Sequence, residues 1–287
     1  MIVDGCRLTV HGRFPRIARL SAEYYEYCAD PQRFVARARE AHVRADVLTM
    51  LQMSKHQEPL WPLPFEREEI SVLSVTTYDD WFKKQLNDKT RNMVRKADKK
   101  GVVLKVCPFS DELVAGIKEI YDEAPIRQGK PFAHYGKDLD TLRRDHVTYE
   151  ERSDFICAYF GDELIGFLKL VHGDGISNIM QIVSKVAHRD KAPTNGLIAK
   201  AVASCAERGV PLLHYGLWSR GGLGEFKKHH GFDRYAVVRY FVPLTLMGRL
   251  AMKLRMHRKL VDRLPPPMVE RLIEWRGRWN SMRLATR

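Results

Sequence analysis

The stretch ISNIMQIVSKVAHRDKAPTNGLIAKAVASCAERG, residues 176–209, decides the reading of this chain. Ile176–Val186 has the β-branched weight of a strand, with Ile179, Ile182, Val183 and Val186. Ala187–Pro193 is a polar loop. From about Asn195 to Arg208, Leu197, Ile198, Ala201, Val202 and Cys205 recur at helical spacing, Thr194 offers an N-cap, and Gly209 ends the run. A loop that feeds a helix N-terminus presents unpaired backbone N–H groups at the positive end of a dipole, which favours anions. Here the loop adds His188, Arg189 and Lys191. The stretch therefore reads either as a phosphate or pyrophosphate grip or as an ordinary crossover with solvated charges.

Working outward, Phe155–Phe160 and Leu164–Val171 flank the turn Gly161-Asp162-Glu163, a hairpin signal that makes 176–186 the third antiparallel strand. Beyond the central helix come a strand at Pro211–Gly216, the loop SRGGLG, a short helix in EFKKHH, and a last strand at Tyr235–Val242. Upstream, Val102–Val106 reads as a strand, Asp111–Tyr121 as a helix and 138–151 as another helix. Between these helices lies DEAPIRQGKPFAHYGKD, residues 122–138, where Glu123, His134 and Tyr135 could move protons and Arg127 and Gln128 could donate hydrogen bonds. Residues 77–101, TYDDWFKKQLNDKTRNMVRKADKKG, read as one amphipathic helix capped by Thr77. Phe82, Leu86, Met93, Val94 and Ala97 line one side, and Arg91 and Arg95 sit a turn apart on another. Residues 1–70 hold a short strand at Arg7–Val10, a helix from Asp30-Pro31 to about His42, and strands at Ala45–Met53 and, at the join, Glu69–Val75.

The chain has 287 residues, 45% hydrophobic and 10% aromatic, and a formal charge of +13, which points to an anionic partner without choosing it. Five scattered cysteines with no C-x-x-C exclude a disulfide framework as the organising principle and suit a reducing cytoplasm. No metal-ligand spacing is present among the histidines. No apolar run reaches the roughly 18 residues that a membrane helix needs.

The element order from 102 to 242 resembles that of the GCN5-related N-acetyltransferase (GNAT) superfamily. FKKHHGF (226–232) looks like the aromatic–x–x–x–x–Gly–Phe element near the end of such domains. KTRNMVRKADKKG (89–101) looks like the basic helix that opens the catalytic domain of FemAB-like acyltransferases. The usual glycine-containing pyrophosphate loop is replaced by AHRDKAPTNG (187–196), and the position of the tyrosine that many GNAT enzymes use is Lys227, as in FemAB-like proteins. The resemblance implies an α/β (α+β) fold, a mixed, mostly antiparallel sheet flanked by helices, with an N-terminal segment over 1–70, the transferase domain over 71–243 and a helical tail over 244–287. It implies a direct transfer from acyl-CoA, or from aminoacyl-tRNA, to an amine such as a cell-envelope precursor, with no metal.

On that reading Gln181, Ser184 and Lys185 flank the donor, and His188, Lys191 and Asn195 hold its phosphates. Glu123 is the base or amine anchor. Arg127, Gln128, His134 and Tyr135 shape the acceptor pocket, with Arg91 and Arg95 facing an anion. Tyr215 is the candidate acid, and Lys227 the candidate oxyanion stabiliser. A basic RNA-binding module and an inactive membrane-associated scaffold are the alternatives.

The tail repeats the basic theme. From Arg249 to Arg287 eleven Lys/Arg face three acids, and Met247, Leu250, Ala251, Leu254, Val261 and Leu264 share one side. It reads as a helix lying on an anionic membrane or as a hairpin packed on the domain, which places the protein in the cytoplasm, free or peripheral on the inner membrane face.

Overall fold

A computed structural model describes residues 1–26, 28, 30–53, 57–127, 130–219 and 221–257. In chain order its elements are β1 (Ile2–Val3), β2 (Cys6–His11), β3 (Ile17–Leu20), α1 (Pro31–Glu40), β4 (Val47–Gln52) and β5 (Phe65–Ser74). There follow α2 (Tyr78–Asp80), a π-helical turn Trp81–Gln85, α3 (Asp88–Lys99), β6 (Val102–Cys107), α4 (Asp111–Asp122), β7 (Ile126–Arg127), β8 (Lys130–Pro131) and α5 (Leu139–His146). The remainder is β9 (Ser153–Phe160), β10 (Glu163–His172), β11 (Ile176–Ser184), α6 (Pro193–Glu207), β12 (Leu212–Leu217), α7 (Gly221–His229), β13 (Asp233–Pro243) and α8 (Leu246–Lys253).

Two compact units emerge. The first comprises Met1–Glu68, Ile126–Pro131 and the chain from Val237 on; the second comprises Glu69–Pro125 and Phe132–Ala236. In the first, β1, β2 and β3 pair antiparallel, β3 pairs parallel with β4, and β4 pairs antiparallel with Val238–Pro243 of β13. Asp30 caps α1 by accepting from the amides of Gln32 and Arg33, with Pro31 at the first helical position. Phe34, Val35 and Ala38 of α1 then pack with Leu48, Met50 and Val238. Inside this unit Arg239 donates to both oxygens of Glu23 at 2.9 Å and to Glu68, a fork-on-carboxylate geometry that keeps a buried guanidinium paired.

In the second unit Ile70–Ser74 of β5 pairs antiparallel with β12, β12 pairs parallel with β11, and β11, β10, β9 and β6 continue antiparallel to the outer strand β6. This is the mixed, mostly antiparallel sheet that the sequence suggests. Helix α6 packs on one face, with Leu197, Ile198, Ala201, Val202 and Cys205 in a core shared with Ile156, Leu168, Leu213 and Phe232. On the other face Leu113, Val114, Ile117 and Ile120 of α4 join Phe155 and Phe167. Gly196 permits the close approach at the head of α6: a Cβ there would lie 3.0 Å from Leu104 and 3.2 Å from Ala97.

Three local expectations are corrected. The helix over 77–101 is interrupted, because Leu86 is extended and the Asn87 side chain accepts from the Thr90 amide, restarting the helix as α3. The cap of α6 is Ala192, in the left-handed region at φ 55°, with Pro193 first in the helix and no side-chain cap; Thr194 lies inside it. Pro at the first helical position outweighs the Thr cap because its missing N–H costs nothing there. Strand β11 ends at Ser184 rather than Val186.

Asp154 on β9 ties three elements together. Its carboxylate accepts from Ser204 at 2.5 Å and from Arg208 at 2.7 Å, both at the C-terminal part of the α6 segment, and lies 3.0 Å from His172 Nε2 on β10. These partners outweigh the cost of burial and hold its pKa at about 2, below the ordinary 3.8. Its contribution is therefore complete above pH 3.8 and is lost as the pH falls towards 2. Removing the carboxylate by Asp154→Ala is expected to cost about 3 kcal/mol at neutral pH and to flatten the acid limb of the stability curve. Urea unfolding of both proteins at pH 6 and pH 3 measures this. An unchanged acid limb in the variant means the carboxylate has no such role.

Candidate functional site

The parallel pairing of β11 with β12 lasts only three rungs, Ile176↔Leu212, Ser177↔Leu213 and Asn178↔His214. The last rung is clamped through its side chains, with His214 Nδ1 2.8 Å from Asn178 Oδ1. Burial holds the His214 pKa down at about 3, so the ring is neutral. Beyond this rung both strands bulge. On β11, Gln181 pairs with Lys169 and Ile179 with Leu170, which leaves Met180 as the extra residue. On β12, His214 pairs with Val72 and Leu217 with Ile70, so Tyr215 and Gly216 together face Ser71. Gly216 takes φ 64°, a conformation that glycine reaches without steric cost.

The consequence is an opening between β11 and β12. Strand β11 stays paired with β10 as far as Ser184. The Lys185 amide still donates to Ile165 O at 2.8 Å. Backbone groups alternate sides along an antiparallel strand, so the amides of Ile182 and Ser184 face away from β10, into the gap. Gln181 and Ser184 thus sit on the opened arm. The Ser184 hydroxyl lies 2.8 Å from that of Thr194 at the head of α6.

On the β12 arm, Lys227 of α7 reaches the bulge. It is 3% exposed, and its Nζ donates to Leu217 O at 2.8 Å, Ser219 Oγ at 3.2 Å and Ser71 Oγ at 3.3 Å, none of them a carboxylate. Desolvation pulls its pKa to about 8. Nζ also lies 4.7 Å from the centre of the Tyr215 ring, and Tyr215, itself pushed up to about 12 by burial, packs on Phe232. Gly224 lets α7 approach this loop, since a Cβ there would fall 2.1 Å from Ser219 O. His230 links α7 to α6: its Nδ1 donates to Phe226 O at 2.7 Å, and its Nε2 is 3.0 Å from the Asn195 side-chain amide.

The loop after β11 is organised by carboxylates. Glu123, which follows α4, accepts from the amides of Val186 at 2.6 Å and Ala187 at 2.8 Å. Lys185 pairs with Glu163 at 2.7 Å and Glu119 at 3.4 Å, and His188 Nε2 is 3.0 Å from Glu163. Lys191 lies over the Phe160 ring at 4.6 Å. On α3, Arg91 pairs with Asp88 and donates to Lys83 O at 2.8 Å, while Arg95 stacks over Phe82 at 5.2 Å. His134 packs on Tyr121 with ring centres 4.9 Å apart, and Tyr135 is half exposed. Arg127 lies in β7 and belongs to the first unit; Gln128 lies outside the described residues.

The structure thus brings Gln181, Ser184, Lys185, His188, Lys191, Asn195 and Glu123 together around the end of β11 and the head of α6. It places Tyr215 and Lys227 on the facing arm. Ser71, Ser219, Glu119, Glu163, His214 and His230 escape a reading of the sequence. A serine in an apolar strand or a glutamate beside a hairpin turn carries no signal until its distant partner is known.

Solved structures share this architecture. FemX superposes with a TM-score of 0.59 over 86% of each chain at 11% identity. The C-terminal domain of a protein assigned as a lysylphosphatidylglycerol synthetase, from Agrobacterium fabrum, gives 0.58 over 88% of this chain and 86% of its own at 12% identity. L-PGS from Bacillus licheniformis gives 0.52 over 81% and 80% at 14% identity. The chain shares the fold of FemX and of these synthetase domains. No family profile matches the sequence, and no curated protein does. Among the described residues no helix is long and apolar enough to cross a membrane, and no group of His, Cys, Asp or Glu side chains could hold a metal ion.

In this fold the lowered Lys227 pKa ties stability to pH. Its value of about 8 lies below the ordinary 10.5, so between these pH values the unfolded chain binds more protons and stability rises with pH. The melting temperature of the wild type is expected to rise from pH 7 to pH 9.5 relative to that of Lys227→Met, which keeps the volume and removes the charge. Parallel curves for the two proteins would show that Lys227 is an ordinary solvated lysine.

Proposed function

We propose that this protein is an N-acyltransferase that moves an acyl or aminoacyl group from a carrier to an amine by direct attack. The observation that supports this most is the parting of β11 from β12 after Asn178↔His214, with the Ile182 and Ser184 amides facing the gap. Fixed N–H donors beside a carbonyl stabilise the negative charge that develops on its oxygen, and they cost no reorganisation when the reaction occurs. The acceptor nitrogen forms the new bond to the carbonyl carbon. The bond from that carbon to the carrier sulfur or oxygen breaks, the electron pair leaves with the carrier, and the proton of the amine replaces it there.

Lys227, with a pKa of about 8, exchanges its proton near neutral pH and supplies positive charge to the β12 arm. Tyr215 shields it from water. Glu123 holds the loop through the Val186 and Ala187 amides, so in our reading it positions the donor site, and the base lies elsewhere. Gln181, Ser184 and Asn195 flank the carrier, while His134 and Tyr135 are assigned to the acceptor.

Two donors fit the chemistry, acyl-CoA and aminoacyl-tRNA. The carboxylates of Glu119, Glu123 and Glu163 crowd the loop that would grip a pyrophosphate, which disfavours that anion there and favours the aminoacyl ester. A basic chain of +13 suits the same carrier. The name lysylphosphatidylglycerol synthetase, assigned to one protein of this fold, suggests an acceptor at a lipid surface.

The test is a transfer assay with labelled acyl-CoA and aminoacyl-tRNA as donors and a panel of amines. Transfer from aminoacyl-tRNA is expected. Lys227→Ala is expected to lower kcat by more than tenfold, about 1.4 kcal/mol of barrier or more. Glu123→Gln is expected to raise KM for the donor more than it lowers kcat. Absence of transfer from either donor, or full activity of Lys227→Ala, would sink the reading.

A further inference from the structure

Helix α8 presents an apolar face that the described residues of its own unit leave uncovered. Gly248 and Ala251 form its buried side; a Cβ on Gly248 would lie 1.9 Å from Asp46 O, so the helix sits tight against the backbone of the first unit. Thr245 fixes its start by accepting from the Gly248 amide at 2.9 Å and donating to Asp46 at 3.3 Å. Away from that contact Leu246 is 78% exposed, Met247 50%, Leu250 48% and Leu254 57%. At about 100° per residue these side chains share one sector of the helix, and the exposed Arg249 and Lys253 fill the sector beside it. Single exposed leucines need no explanation, whereas a contiguous stripe of this kind marks an interaction surface.

The charge pattern chooses the occupant. Residues 244–257 contain Arg249, Lys253 and Arg255 and no acid. Two copies meeting through this stripe would set the Arg249 and Lys253 rows against each other. The remaining segment, 258–287, has eight Lys/Arg against three acids, so it too would bring like charge to the face. An anionic lipid surface matches both features: leucines enter the acyl boundary while a flanking row of cations meets the headgroup phosphates.

We propose that α8 is an interfacial anchor that docks the first unit on an anionic membrane through Leu246, Met247, Leu250 and Leu254, with Arg249 and Lys253 at headgroup level. This inference is independent of the transferase reading.

Co-sedimentation of the full chain with vesicles of phosphatidylcholine alone, and with vesicles in which about a third of the lipid is phosphatidylglycerol, tests it. The wild type is expected to pellet with the anionic vesicles. Leu250→Glu/Leu254→Glu is expected to weaken that binding by about tenfold or more. Leu246→Asp, at the most exposed position, guards against a folding artefact, and circular dichroism confirms that each variant is native. Arg249→Glu/Lys253→Glu is expected to abolish the preference for anionic vesicles. Sedimentation velocity on the same proteins identifies the rival occupant. Failure of the wild type to bind either vesicle, binding unchanged in the leucine variants, or a self-association that those variants abolish in place of vesicle binding would overturn the proposal.

Discussion

A single rung of backbone pairing governs this structure. At Asn178↔His214 two parallel strands are still joined, and one residue later they are not. A neutral, buried His214 held against Asn178 keeps the joint closed below the opening, and bulges at Met180 and at Tyr215-Gly216 turn both strands away from each other above it. The sheet is thereby continuous enough to be rigid and interrupted enough to open a gap between β11 and β12, at a place where α6 begins and α7 delivers Lys227.

The loop beyond the opening shows how the same need is met without a ligand. The amides of Val186 and Ala187 already have an acceptor, the Glu123 carboxylate, and the cations Lys185 and His188 already have Glu163. A loop with cations and free amides would be an anion trap. Here Lys185, His188 and the two amides already have carboxylate partners, and Lys227, on the other arm, donates to neutral oxygens. Burial without a counter-charge lowers its proton affinity into the range where it can both gain and lose a proton near neutral pH. The same desolvation weakens the fold at neutral pH.

Much of this was visible in the residues. The hairpin at 155–171, the strand–loop–helix that follows it, the basic helix and the FKKHHGF turn are local patterns, and local patterns survive into the structure. The opening itself was not visible, because it depends on where two strands stop pairing, and their register is set by neighbours far away in sequence. Ser71 meets Lys227 across more than half the chain. Glu163, which reads as part of a hairpin turn, closes on Lys185 and His188 because β10 and β11 run side by side. The break at Leu86–Asn87 went unread because apolar spacing continued through it, and the Asn87 cap that resets the helix looks like any polar residue until its donor, the Thr90 amide, is placed. β3 was missed because four residues, Ile17–Leu20, are too few to show a period.

One outer feature has a bearing on behaviour in concentrated solution. β6 ends the sheet of the second unit, and an end strand with exposed Val103 and Val106 is a template on which another chain could add a strand and start an aggregate. Lys105 sits between those valines, its ammonium folded over the Tyr159 ring at 4.3 Å. A second strand laid along this edge would have to strip water from that charge, so the lysine acts as a gatekeeper that keeps the sheet from growing past its last member.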